Sequence, residues 1–107
     1  MSQSLQGKVA IVTGGSRGIG RAVSQGLAAE GCGVVVTSRT EVDESADSQF
    51  RRHSSGTIHQ TAQAIQQRGG QSLAVKCDLS YSNDISRLVD TTLDHFGRID
   101  ILVSNAG

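Results

Sequence analysis

A chain of 107 residues, 36% of them hydrophobic, has length for one small domain with a modest core and none for a second. Ten basic and ten acidic side chains cancel, which argues against a polyanion binder that works through overall charge, so any anion must be met locally. The opening MSQSLQGK has no apolar signal core and no run approaches membrane-spanning length, so the expectation is a soluble cytoplasmic protein with no nucleic-acid or membrane partner.

Taken in order, the chain alternates strand-like and helix-like patterns. Val9 to Val12 is a short apolar run that meets a glycine cluster with no linker. Behind it Ile19, Ala22, Val23, Leu27 and Ala28 fall on one helical stripe, and Gly31 is placed to end the helix as a left-handed cap. Gly33 to Thr37 is a near-continuous β-branched run, as a parallel strand covered on both faces requires. From Thr40 to Gly56 the chain turns polar, with Val42, Ala46 and Phe50 as its apolar anchors, and reads as a mobile surface loop. Thr57 opens a second helix on the stripe Ile58, Ala62 and Ile65, which Gly69-Gly70 stops. Ser72 to Cys77 is a third strand. A third helix, capped by Ser82 or Asn83, carries the stripe Ile85, Leu88, Val89, Thr92 and Phe96 up to Gly97. Asp100 to Val103 is a fourth strand. This alternation predicts an α/β fold, a doubly wound parallel sheet of order 3-2-1-4 within a single domain over residues 1–107.

Cys32 and Cys77 share no metal or redox spacing and sit beside strand-like runs, which reads as reduced, buried thiols. His53, His59 and His95 are scattered, without the spacing of a metal site, and read as solvated.

The chemistry concentrates in Lys8 to Gly20, KVAIVTGGSRGIG. Strand, tight turn and helix follow one another, and Gly14, Gly18 and Gly20 leave the backbone free to turn sharply and lie close to a bulky anion. Backbone N–H groups and the positive helix end then suit a pyrophosphate. The spacing Gly-x-x-x-Gly-x-Gly differs from the common Gly-x-Gly-x-x-Gly, and a P-loop is disfavoured because no Gly-Lys-Ser/Thr follows.

With Thr13 in front and Arg17-Gly18-Ile19-Gly20 behind, the motif resembles that of the short-chain dehydrogenase/reductases. Asp78-Leu79 after the third strand resembles that family's acidic turn, which meets the adenine, and Ser104-Asn105-Ala106-Gly107 resembles its Asn-Asn-Ala-Gly, with Ser104 in place of the first asparagine. The resemblance covers nearly the whole chain apart from the polar loop. It implies the N-terminal cofactor-binding half of such an enzyme, cut after the fourth strand, whose complete form moves hydride between NADP(H) and a small carbonyl or alcohol substrate. It implies cofactor-binding roles for Gly14, Ser16, Arg17, Gly18, Ile19, Gly20, Asp78, Leu79, Asn105, Ala106 and Gly107. Gly56-Thr57-Ile58 leading into Thr61-Ala62 looks similar to a hydroxysteroid-dehydrogenase-like branch, without fixing a substrate.

Cofactor choice turns on the end of the second strand, where an NAD enzyme carries an acidic residue for the ribose hydroxyls. Here Ser38 is followed by Arg39. With no carboxylate to repel it, a 2′-phosphate fits between the Arg39 guanidinium, the Ser38 hydroxyl and Arg17, so NADP is expected over NAD. No catalytic residue is expected among these 107. The family's proton donor is the tyrosine of Tyr-x-x-x-Lys, but four residues after Tyr81, the single tyrosine, stands Ile85. A non-catalytic dinucleotide-binding or partner-binding module is the rival expectation. If the fourth strand is a bare edge, the chain is also expected to self-associate through it.

Overall fold

The computed structural model describes residues 4–15, 18–39 and 57–105. Among the described residues seven elements alternate: β1 (Val9–Thr13), α1 (Gly18–Ala29), β2 (Gly33–Ser38), α2 (Ile58–Gln67), β3 (Ser72–Lys76), α3 (Ser82–Phe96) and β4 (Ile101–Val103). The strands form one parallel sheet in the order β3-β2-β1-β4. Val9 lies opposite Gly33, Val34 opposite Ser72, and Ala10 opposite Ile101. The polar segment from Thr40 to Gly56 lies outside the described residues, as does His53.

Side chains alternate across each strand, so β1 and β2 feed two cores. On one face Ala10, Val12, Val34 and Val36 meet Cys32 and the α2 residues Ile58, Ala62 and Ile65, with Leu27 and Ala28 of α1 packed against them. On the other, Ile11 and Val35 meet Cys77 and Leu88, with Phe96 of α3 closing one end. Complete burial of Ile58 or Ile65 stabilises the fold by about 1.5–3 kcal/mol each. Both cysteines are free and buried, and burial pushes each thiol's pKa up. His59 and His95 are exposed.

The helices end where the glycines predict, with positive φ at Gly31, Gly69 and Gly97. α2 starts on a capping box: the Thr57 hydroxyl accepts from the Gln60 N–H and the Gln60 side chain accepts from the Thr57 N–H. Two expectations need correction. The buried face of α1 is Gly20 and Ser24, while Ile19 is 72% exposed and Ala22 is exposed too. Small side chains let α1 lie close to the sheet, and a search for apolar periodicity passes over them. At α3 neither Ser82 nor Asn83 is the cap; Tyr81 is, with no side-chain hydrogen bond. The third helical residue, Asp84, instead ties the helix start to the turn before it, its carboxylate accepting from the Asp78 N–H at 2.9 Å.

At the opposite end of the sheet, Asp100 clamps β4 to β1. Its N–H donates to Val9 O, its carboxylate accepts from Val9 N–H, and Arg98 grips it with two bonds of 2.8 Å.

Candidate functional site

The carboxyl ends of the strands converge on the turn between β1 and α1. Gly14 and Gly18 have φ of 66° and 63°, a backbone conformation that a side chain strains. A Cβ on Gly18 would meet nothing within 4 Å, so the turn is open on that side. Gly20 is the reverse case. A Cβ there would fall 2.0 Å from Gly14 O and 2.8 Å from Asn105 Nδ2, so the first turn of α1 packs directly on the glycine loop. The Ser24 hydroxyl donates to Gly20 O one helical turn back, keeping that face small and satisfied.

Thr13 ties this turn to β4. Its hydroxyl donates to Val103 O and accepts from the Asn105 N–H at 2.9 Å, and Asn105 Nδ2 lies 3.5 Å from Gly14 O. In the sequence Thr13 is the residue in front of the glycines. Its place as the junction between the two strand ends appears only in the structure. From the other side Gly15 donates its N–H to Thr37 O and accepts from the Thr61 hydroxyl, a residue the sequence did not mark as functional.

The expected site residues fall into three groups. Gly14, Gly18, Ile19, Gly20 and Asn105 come together at the turn, with Ile19 projecting into the open. Ser38, Arg39, Asp78 and Leu79 form a second group where β2 and β3 end, joined by a 2.8 Å bond from Cys77 N–H to Ser38 O. Ser16, Arg17, Ala106 and Gly107 lie outside the described residues, so the meeting of Arg17 with Ser38 and Arg39 does too. Asp78 caps its own turn by accepting from the Ser80 N–H. The Ser80 backbone bond, then the Ser80 side chain, and then the positive charge of Arg39 hold its carboxyl below the usual range. Asp78 and Arg39 are therefore electrostatic neighbours.

The donor set fits an anionic dinucleotide. α1 has no acidic residue in its first turn to cancel the positive end of the helix. The end of β2 offers a hydroxyl and a guanidinium and no carboxylate. The Thr37 hydroxyl, buried beside these strand ends, has among the described residues no hydrogen-bond partner stronger than the neighbouring Cys77 thiol. Among the described residues no acidic, histidine and cysteine group could hold a metal, and no helix is long and apolar enough to cross a membrane.

A family model described as short chain dehydrogenase matches residues 8–107. The chain belongs to the short-chain dehydrogenase/reductases. Glucose 1-dehydrogenase 2 of Bacillus subtilis is 37% identical over 107 residues, which is all of this chain and 36% of that protein. Among solved structures, a hydroxysteroid dehydrogenase from Escherichia coli superposes with a TM-score of 0.77 at 34% identity, over 98% of this chain and 39% of that one. A metagenomic short-chain oxidoreductase in complex with NADP superposes with a TM-score of 0.75 at 38% identity, over 97% and 41%. The chain thus spans between a third and about two fifths of the length of these relatives. Relatives with different activities in their names match to similar degrees, so the likeness carries the oxidoreductase family and no particular substrate.

Proposed function

We propose that this chain is the NADP-binding part of a short-chain dehydrogenase/reductase whose complete form moves hydride between NADP(H) and a small carbonyl or alcohol substrate. The nicotinamide cofactor, when bound, supplies or takes up the hydride. The chain's own residues bind and orient it. Gly14, Gly18, Ile19 and Gly20 form the seat for the pyrophosphate, with Ser16 and Arg17 completing the turn in sequence. Asp78 and Leu79 border the adenine, and Asn105, with Ala106 and Gly107 after it, holds the end of β4 against the turn.

The observation that carries NADP over NAD is the end of β2, where Ser38 and Arg39 stand in place of a carboxylate. Arg39 already feels the Asp78 charge. A phosphate monoester with about 1.5 to 2 negative charges competes successfully for it against a single carboxylate. The relative described with NADP bound is in keeping with this reading. Losing a charge-assisted contact costs about 1.5–3 kcal/mol, or roughly ten- to a hundredfold in affinity. Calorimetric titration of the chain with NADP⁺ and NAD⁺, repeated on Arg39→Ala, tests this: NADP⁺ binds more tightly and the variant loses that preference. Equal affinities for both cofactors, unchanged by the substitution, overturn it.

The proton donor that carbonyl reduction needs is assigned to none of these residues. Tyr81 is 63% exposed at the start of α3, on the turn that follows Asp78. The same reading makes the outer side of β4, with Leu102, the surface through which the isolated chain self-associates.

A further inference from the structure

Resting on that cofactor reading, we propose that Thr61, on α2, is a positioning residue for the glycine turn, holding the Gly15 carbonyl inward so that the turn shows the cofactor's phosphates no acceptor lone pair there. Gly15 is fixed at both of its polar atoms. Its N–H donates to Thr37 O at 3.1 Å, and its carbonyl accepts from Thr61 Oγ1 at 2.9 Å across 46 residues of sequence. A Cβ on Gly15 would sit 3.0 Å from Val36 Cβ, so this peptide lies flush against β2.

Thr61 is fully buried on the stripe it shares with Ile58, Ala62 and Ile65. A hydroxyl in that company costs stability unless it is bonded. It has one proton to give. Of its two acceptors among the described residues, Thr57 O, one turn back, lies at 3.4 Å and Gly15 O at 2.9 Å, so the glycine turn is the nearer of the two. The neighbouring carbonyl, Gly14 O, faces inward as well, against Gly20 and towards Asn105 Nδ2. Two successive carbonyls are thus drawn into the protein from opposite sides, one by the segment after β4 and one by α2. An acceptor swung outward would face the phosphates with like charge. Removing the Thr61 hydroxyl takes this bond from the carbonyl of the buried Gly15, and the turn then spends part of its time in other arrangements. Apparent affinity falls in proportion to the competent fraction.

The test uses the chain with Thr61→Val, which keeps the shape and removes the hydroxyl, and Thr61→Ser, which keeps the hydroxyl. NADP⁺ binds Thr61→Val about tenfold more weakly, while adenosine 2′-monophosphate, which has no pyrophosphate, binds as before. Thr61→Ser binds NADP⁺ within about twofold of the unmodified chain. In the ligand-free protein, hydrogen exchange at the Gly15 amide speeds up in Thr61→Val and not in Thr61→Ser. Unchanged NADP⁺ affinity, equal weakening of both ligands, or failure of Thr61→Ser to restore binding overturns the proposal. If Thr61→Val does not fold, Thr61→Ala is read in the same way. If the unmodified chain binds no dinucleotide, the cofactor reading falls and the Gly15 amide decides alone: unchanged exchange overturns the positioning role, and faster exchange supports it.

Discussion

The two faces of the sheet are built from the same strands and differ in depth. Among the described residues, eight buried side chains form the core under α1 and α2, and four form the core under α3. Ile85, Leu93 and Leu102 remain 39%, 43% and 67% exposed. The site follows this asymmetry. The glycine turn is held to the deep face by contacts from far along the chain, Thr61 on Gly15 and Val36 beneath, besides the local packing of α1 against Gly14. The turn after β3, on the thin face, is held by its own neighbours, with Asp78 on Ser80 and Asp84 on Asp78. The proposed pyrophosphate seat has to be rigid before the ligand arrives, because disorder there is subtracted from affinity. A self-capped turn tolerates adjustment.

The largest expected effect tests that difference in depth. Removing a buried aliphatic side chain costs about 2–5 kcal/mol, more where the surroundings cannot collapse around the gap. Ile58→Ala, in the deep core, is expected in the upper half of that range. Leu88→Ala, on the thin face where α3 can settle inward, belongs in the lower half. Urea unfolding of both variants measures the gap, and a Leu88→Ala cost equal to or above that of Ile58→Ala breaks the comparison.

Leu102 gives a smaller effect of another kind. It is opposite Ile11 in register, so it belongs to the thin face, and β4 pairs with β1 on its inner side alone among the described residues. Covering one such side chain in an interface is worth about 1.5–3 kcal/mol. Leu102→Lys should therefore raise the concentration at which the isolated chain associates by roughly ten- to a hundredfold, read by light scattering. An unchanged onset places the sticky surface elsewhere.

What the sequence revealed follows from what repeats in it. Parallel strands covered on both faces are apolar throughout, so Val9 to Val12 and Gly33 to Thr37 were legible, and alternation with helices set the strand order. α2 was legible because Ile58, Ala62 and Ile65 are large and evenly spaced. α1 was legible at its end, where Leu27 and Ala28 pack on the core, and not at its start, where the buried residues are the small Gly20 and Ser24 while Ile19, the large apolar residue, points outward where the turn opens. At α3 the expected cap, Ser82 or Asn83, lies inside the helix instead, and Asp84 ties the helix start to the preceding turn by accepting from the Asp78 N–H. Thr61 did leave a trace: a hydroxyl on an otherwise apolar stripe needs a partner. Only the fold could name Gly15 as that partner, since 46 residues separate them.

The smallest effect concerns the clamp at the far end of the sheet, which belongs to neither face. Arg98 first, and then the Val9 N–H, hold the Asp100 carboxyl below its usual range. A carboxylate whose native pKa is depressed stabilises the fold fully above its unfolded value, near pH 4, and that contribution fades as the pH drops from there through the native value. Asp78, held low by Ser80, acts in the same direction and in the same window. The two differ in reach, because Asp100 joins β4 to β1 whereas Asp78 closes a turn within one segment. Asp100→Asn is therefore expected to lower the unfolding midpoint at pH 7 and to flatten its fall between pH 5 and pH 2, and Asp78→Asn to do less of both. Arg98 is solvent-exposed, so the effect is small and shrinks further in high salt. Thermal unfolding across that pH range at low and high ionic strength decides it, and an Asp100→Asn profile parallel to that of the unmodified chain removes the clamp from the account of what holds β4 in place.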